Sequence, residues 1–175
     1  MQFTPLDIAG AFVVKPKPIV DERGFFALMW STEDFLKRGL NAKIEQASLS
    51  FNSIKGTVRG MHFQNAPHAE AKLVRCQAGA IFDIVLDLRR ESLTYKSWMG
   101  VELSAENRKM LYIPEGCAHG FQTLTEATEV FYLLSQGYTP NSARGVRWDD
   151  PAFDIKWPGP VTCISERDKT HLDWE

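Results

Sequence analysis

The sequence predicts an all-β domain, a sandwich or a closed barrel, with few helices. Short segments rich in branched and aromatic residues recur between Gly, Pro, Asn and Asp turn signals, at residues 11–15, 44–51, 57–64, 71–76, 79–88, 97–103, 108–113, 119–124 and 128–134. Two of these segments alternate with period two, as strands do. Only one stretch reads as a convincing helix, and it is short.

Taken in order, residues 10–30 are β-rich and suited to exchange with a partner sheet. The helix follows: Ser31 or Thr32 caps it, Glu33 and Asp34 suit its positive end, and Gly39 stops it after Phe35 and Leu36. In 57–64, strict alternation groups His62 with Val58, Gly60 and Gln64 and puts Arg59 on the other face. For both to reach one pocket, Gly60 must mark a bulge, or Arg59 must serve a different part of the site, as across a dimer interface. In 81–88, Phe82, Ile84, Leu86 and Leu88 share one face, with Ile81, Asp83, Val85 and Asp87 on the other. In 128–134, Tyr132 shares a face with Val130 and Leu134. Asp and Tyr among apolar neighbours fit a cavity lining, or equally a solvent-facing Asp and a half-buried Tyr. The last forty or so residues, with Pro140, Pro151, Pro158 and Pro160 and the segments RGVRWDDP, FDIKWP and HLDWE, read as an extended tail packed over the β core.

The chain of 175 residues is the length of one domain, 1–175, and can bury a real core. Its 20 basic and 22 acidic residues sum to −2, which gives no basic footprint for nucleic acid or an anionic membrane surface. The N-terminal MQFTPLDIAG lacks the basic and apolar regions of a signal peptide. Cys76, Cys117 and Cys163 are an odd set with no Cys-x-x-Cys pair, as expected of reduced thiols in a cytoplasmic protein.

Histidine is the side chain poised for acid–base work near neutral pH. His62 lies in a strand pattern and His119 at a loop-to-strand boundary, while His68 and His171 have polar, loop-like, solvated surroundings. Arg23, Arg59 and Lys72 are candidate anion ligands near a cavity, and Arg75 reads as a solvated charge at a strand end. The Pro-x-Gly-x-x-His pattern from Pro114 to His119 resembles the second motif of the cupin superfamily. That resemblance implies a cupin-type double-stranded β-helix, or jelly roll, with a few short helices. In metal cupins this histidine is a ligand, and a His-x-His with a nearby glutamate completes the set. Here Gln64 replaces the second histidine and Glu70 stands one place further than that pattern asks. Two histidines without a well-placed carboxylate suit iron or zinc poorly, so the expectation is a cupin barrel without metal or other cofactor.

Taken together, DERGFF, GTVRGMHFQ, EAKLVRC, GAIFDIVLDLR, VELSAEN, LYIPEGCAHGFQTL, EVFY, GYTP and RWDDPAFDIKWP resemble the dTDP-4-dehydrorhamnose 3,5-epimerase family over roughly residues 10–170. The resemblance implies a homodimeric, cofactor-free enzyme acting on dTDP-4-dehydro-6-deoxy-D-glucose. It implies His62 as the base, Asp168 as its partner and Tyr132 as the proton donor. It places Arg23, Asn52, Arg59, Lys72, His119, Tyr138 and Arg167 against the substrate, Tyr138 on the thymine ring, and Asp83 behind a catalytic group. Three substrate-contact positions depart from the common pattern. Leu28 and Ala143 stand where acids are usual, and EQASLSFN offers Gln46, Ser48 and Asn52 in shifted places. Epimerisation at C3 or C5 alone, or a CDP- or GDP-linked ketosugar, is therefore the alternative. A non-catalytic sugar-binding cupin and a metal-dependent cupin dioxygenase are further ones.

Overall fold

The computed structural model describes all residues, 1–175. In chain order the elements are β1 (Gln2–Pro5), β2 (Phe12–Lys15), β3 (Pro18–Asp21), β4 (Gly24–Ala27), α1 (Thr32–Leu36), β5 (Gln46–Asn52), β6 (Val58–Gln64), β7 (Lys72–Ala78), β8 (Ala80–Asp87), β9 (Trp98–Ser104), β10 (Met110–Ile113), β11 (Cys117–Thr123), β12 (Thr128–Leu134), β13 (Ala143–Gly145) and α2 (Glu166–Lys169). A six-stranded antiparallel sheet, β1-β2-β10-β7-β12-β5, faces a five-stranded one, β13-β6-β11-β8-β9. Every segment expected to be a strand is one, within a residue or two at its ends.

Three apolar clusters order the layers. Between the sheets lie Val74, Cys76, Ile81, Val85, Leu111, Ile113, Phe121 and Val130, with Tyr132 packed against them. The outer face of the six-stranded sheet, at Val14, Leu73, Met110 and Tyr112, is covered by α1 through Phe35, which is fully buried. A buried ring of that size contributes roughly 1.5–3 kcal/mol. Ser31 is the N-cap, accepting from the Asp34 amide at 3.2 Å, and Gly39 turns the chain away with φ +70°.

The tail covers the outer face of the five-stranded sheet. Val146, Phe153 and Ile155 bury Met61, Ile84, Leu86, Leu88 and Ala118. This explains why β8 is apolar on both faces: Phe82, Ile84, Leu86 and Leu88 meet the tail, while Ile81 and Val85 meet the core. Indole donors pin the tail, Trp98 Nε1 to the Phe153 carbonyl at 3.1 Å and Trp157 Nε1 to the Trp148 carbonyl at 2.9 Å. The tail is more regular than its prolines suggest, since it adds β13 to the edge of β6 and forms α2 shortly before its last residues. No helix is long and apolar enough to cross a membrane.

Residues 18–27 form a separate hairpin, β3–β4, which pairs with neither sheet. It holds large apolar side chains in solvent, with Val20 74% and Phe26 71% exposed.

Candidate active site

Strand β6 does not alternate strictly. Opposite β11, His62 pairs with His119 and Arg59 with Phe121, so β6 carries one residue more than its partner between these pairs. The extra residue is accommodated at Gly60, whose φ is +124°. A Cβ there would lie 2.5 Å from the Gly120 Cα. The bulge turns Arg59 and His62 to the same side, which resolves the conflict posed by strict alternation. Both line a cavity of about 620 Å³ that opens between the sheets.

His62 Nε2 donates to Asp168 Oδ1 at 2.7 Å. Asp168 Oδ2 accepts from the Gly60 amide at 3.2 Å, so the bulge also helps to hold the carboxylate. Asp168 is carried by α2, whose cap is Ser165. The preceding segment is docked along β6 by the Val58 amide donating to the Cys163 carbonyl at 2.8 Å. Burial alone pushes the Asp168 pKa up, but the His62 hydrogen bond and charge, with the Gly60 amide, outweigh it and leave it below 3.8. An ionised Asp168 accepts a hydrogen bond from Nε2–H and so leaves His62 Nδ1 free to accept a proton.

The opposite wall is β12. Tyr132 Oη lies 2.9 Å from Ser50 Oγ, and its ring meets the His119 ring edge to face at 6.1 Å. Burial pushes the phenol well above its ordinary 10.0, with Asp83 adding to the shift and Ser50 opposing it, so Tyr132 is held as a proton carrier. Beneath it, His119 Nε2 donates to Asp83 Oδ1 at 2.7 Å. Asp83 is fully buried and its Oδ2 has no partner. Burial raises its pKa, against the pull of His119 and Lys72. Of the two readings of that face of β8, Asp83 thus faces protein and not solvent. Lys72 Nζ donates to the His62 carbonyl at 3.0 Å and pairs with Glu70 at 3.1 Å.

Arg59, His62, Lys72, His119, Tyr132, Tyr138, Arg167 and Asp168 therefore line one cavity. Asn52 and Asp83 are not on its surface. Asn52 is buried and accepts from Arg59 Nε at 2.7 Å, so it orients the guanidinium. Arg23 is elsewhere: it sits at the tip of the β3–β4 hairpin, exposed and paired with Asp21. Gln64 serves as a brace, with Oε1 accepting from the Thr139 amide at 2.6 Å and Nε2 donating to the Gly137 carbonyl at 3.2 Å, and so fixes the turn that bears Tyr138.

Other placements correct the sequence reading. Arg75 lies mid-strand in β7 with a buried, unpartnered Nε, instead of being a solvated strand-end charge. His171 is packed, not solvated: its buried Nε2 lacks a partner, and burial, foremost, lowers its pKa. Ser50 and Glu70 were missed as site residues. The signal for Ser50 was cross-strand register, since Tyr132 pairs with Ser48, two residues from Ser50, across β12 and β5, whereas Glu70 lies in the β6–β7 connection and reaches the site through Lys72. Cys117 is buried and its thiol is pushed up to about 12 by burial, which leaves it inert.

A jelly roll whose cavity sets a histidine–carboxylate pair on one wall against a buried tyrosine on the other defines a cupin-fold acid–base isomerase. The model of the dTDP-4-dehydrorhamnose 3,5-epimerase family matches residues 5–175. The dTDP-4-dehydrorhamnose 3,5-epimerase of Sinorhizobium fredii is 41% identical over 171 residues, 97% of this chain and 88% of that one. The dTDP-4-dehydrorhamnose 3-epimerase of Streptomyces niveus is 38% identical over 98% of this chain and 83% of its own. The crystal structure of the Bacillus anthracis 3,5-epimerase with TDP and pyrophosphate bound superposes with a TM-score of 0.94 at 34% identity, covering 99% of each chain. The chain belongs to the dTDP-4-dehydrorhamnose 3,5-epimerase family.

Proposed function

We propose that this protein epimerises a dTDP-linked 4-keto-6-deoxyhexose at C3 and C5, taking dTDP-4-dehydro-6-deoxy-D-glucose to dTDP-4-dehydro-L-rhamnose, with no cofactor. The observation that carries this reading is the placement of the His62–Asp168 pair on β6 and of Tyr132 on β12, across one cavity. The C4 ketone acidifies the neighbouring C–H bonds. His62 Nδ1 removes a proton, and the electron pair moves into a C=C bond as the carbonyl becomes an enolate. Tyr132 returns a proton to the opposite face and is recharged from solvent, while His62 releases its proton to solvent. A positioned acid–base pair contributes about 10²–10⁴ in rate. Lys72 and His119 stabilise the enolate oxygen. Arg59 and Arg167 hold the diphosphate, and Tyr138 stacks on the base. Stacking reads no base edge, so it tolerates other nucleotides.

A homodimer belongs to the same reading. The β3–β4 hairpin exposes Ile19, Val20, Phe25 and Phe26, and the outer edge of β5 is unpaired, with Leu49 and Phe51 exposed. A hairpin docked on the β5 edge of a second copy would carry Arg23 toward that copy's cavity. The three free thiols support a cytoplasmic location.

Incubation with dTDP-4-dehydro-6-deoxy-D-glucose in D₂O, beside CDP and GDP analogues, tests the reading by NMR. Deuterium at C3 and C5 of the dTDP-sugar is the expected result. Exchange at C3 alone identifies the 3-epimerase chemistry of the Streptomyces niveus relative, and exchange at neither carbon with any of the three overturns the assignment.

A further inference from the structure

His62, Asp168 and His171 each offer a ligand atom, and these atoms lie within 4.8 Å of one another. We propose that these three residues form a zinc site whose occupation silences the base. Two imidazoles and a carboxylate are the donor set of three-ligand zinc sites, which keep a fourth position for water. This is not the pair that the cupin-like motifs implied. His119 is not among the clustered ligands; its Nε2 binds Asp83.

The third ligand comes from the end of the tail. His171 follows α2 and lies against β13, where a Cβ on Gly145 would sit 2.2 Å from His171 Nε2. Glycine at 145 therefore makes room for the ring, and Gly145 pairs directly with His62. Nothing in the chain uses this nitrogen: His171 Nε2 is buried without a hydrogen-bond partner. An idle imidazole beside a histidine–carboxylate pair is poised to ligate.

Zinc enters by replacing a proton. The Nε2 proton shared with Asp168 relocates through solvent to Nδ1, and neutral His62 through Nε2, Asp168 and His171 each donate a lone pair to the ion. The 2.7 Å contact of His62 with Asp168 opens to roughly 3.3 Å, the ligand spacing of tetrahedral zinc. With zinc on Nε2, the His62 proton sits on Nδ1, which can no longer accept one, and turnover stops while the ion is bound.

Binding stands on geometry alone, whereas inhibition rests on the proposed epimerase reading, so the two are measured apart. The full chain, stripped with EDTA, is titrated with zinc sulfate by calorimetry. One ion per chain is expected, with affinity lower by at least about tenfold in His171→Leu and His171→Gln, the scale seen when groups supporting a ligand are removed. Circular dichroism confirms that each variant is folded. Cys163→Ser, which removes the thiol lining the same cavity, retains the affinity. Turnover of the wild type falls over the same zinc range and returns with EDTA, and the His171 variants resist. Equal zinc affinity in wild type and both folded His171 variants, no stoichiometric binding, or loss of binding in Cys163→Ser overturns the site. Stoichiometric binding that leaves turnover unchanged overturns the inhibitory role.

Discussion

His62 Nε2 and Asp168 Oδ1 lie 2.7 Å apart although 106 residues separate them in the chain. The pair is expected to dominate turnover and not binding. His62→Ala should lower kcat by about 10²–10⁴, and Asp168→Asn should act in the same direction by losing the tautomer it imposes. Titration calorimetry with dTDP should give near-native affinity for both. The same contact bears on stability. The folded Asp168 pKa lies below 3.8, so its contribution is present above that pH and is lost as pH falls through the folded value. Acid unfolding of Asp168→Asn should therefore be less steep below pH ~4, as followed by circular dichroism.

On the proposed mechanism, Tyr132→Phe removes the acid and leaves the base. Proton loss to His62 continues and delivery to the far face fails. In D₂O the variant should exchange substrate hydrogen for solvent deuterium while forming epimer about 10²–10⁴ times more slowly. The folded phenol titrates above its ordinary 10.0, so the stabilisation tied to its neutral form is present below that pH and lost as pH rises through the folded value. Turnover of the native enzyme should show no alkaline limb from Tyr132 below pH 10.

Asn52 tests orientation from a distance. It holds Arg59 at 2.7 Å without reaching the cavity surface. Asn52→Ala should raise KM with little change in kcat. A hydrogen bond to a charged group contributes about 1.5–3 kcal/mol, or roughly 10- to 150-fold in affinity. Arg59→Lys should do the same, because an ammonium cannot reproduce the guanidinium fork. Steady-state kinetics separate the two parameters.

Gly60→Ala tests the bulge. The new Cβ meets backbone at 2.5 Å and at a φ of +124°, so β6 and β11 must part. A loss of roughly 1–3 kcal/mol or more is expected in urea denaturation. Activity should fall further than stability, since Arg59, His62 and the amide that binds Asp168 all move.

The β3–β4 hairpin should be an assembly device. Val20→Asp or Phe26→Asp places a charge on a surface that contributes nothing to the core of its own chain. Light scattering should show the mass falling from dimer to monomer, with thermal stability of the isolated fold little changed.

Much of this was legible in residue order. Period-two alternation located β8 and β12, and the Pro114-to-His119 pattern placed His119 on the cavity wall. Both sheets of the core follow from those signals. Less visible were β13 and α2, which are three and four residues long and owe their form to docking on β6. Strict alternation misplaced Arg59 because a single bulge at Gly60 inverts the faces on either side of it. Ser50 and Glu70 carry no motif and became site residues only through strand register and a turn. His171 looked solvated because its neighbours are polar, yet Gly145, far away in sequence, makes a niche for it.

Asp168 arrives on α2, after both sheets have been laid down in the chain. During synthesis the N-terminal part leaves the ribosome first, so a nascent barrel can form most of its cavity wall while still lacking Asp168, the partner of His62. Competence is therefore withheld until the tail has crossed the outside of the five-stranded sheet and locked against β6. Activity thus serves as a report that the last strap is fastened, and limited proteolysis between Pro160 and Ser165 should yield a folded body that binds nucleotide more weakly, for want of Arg167, and turns over nothing.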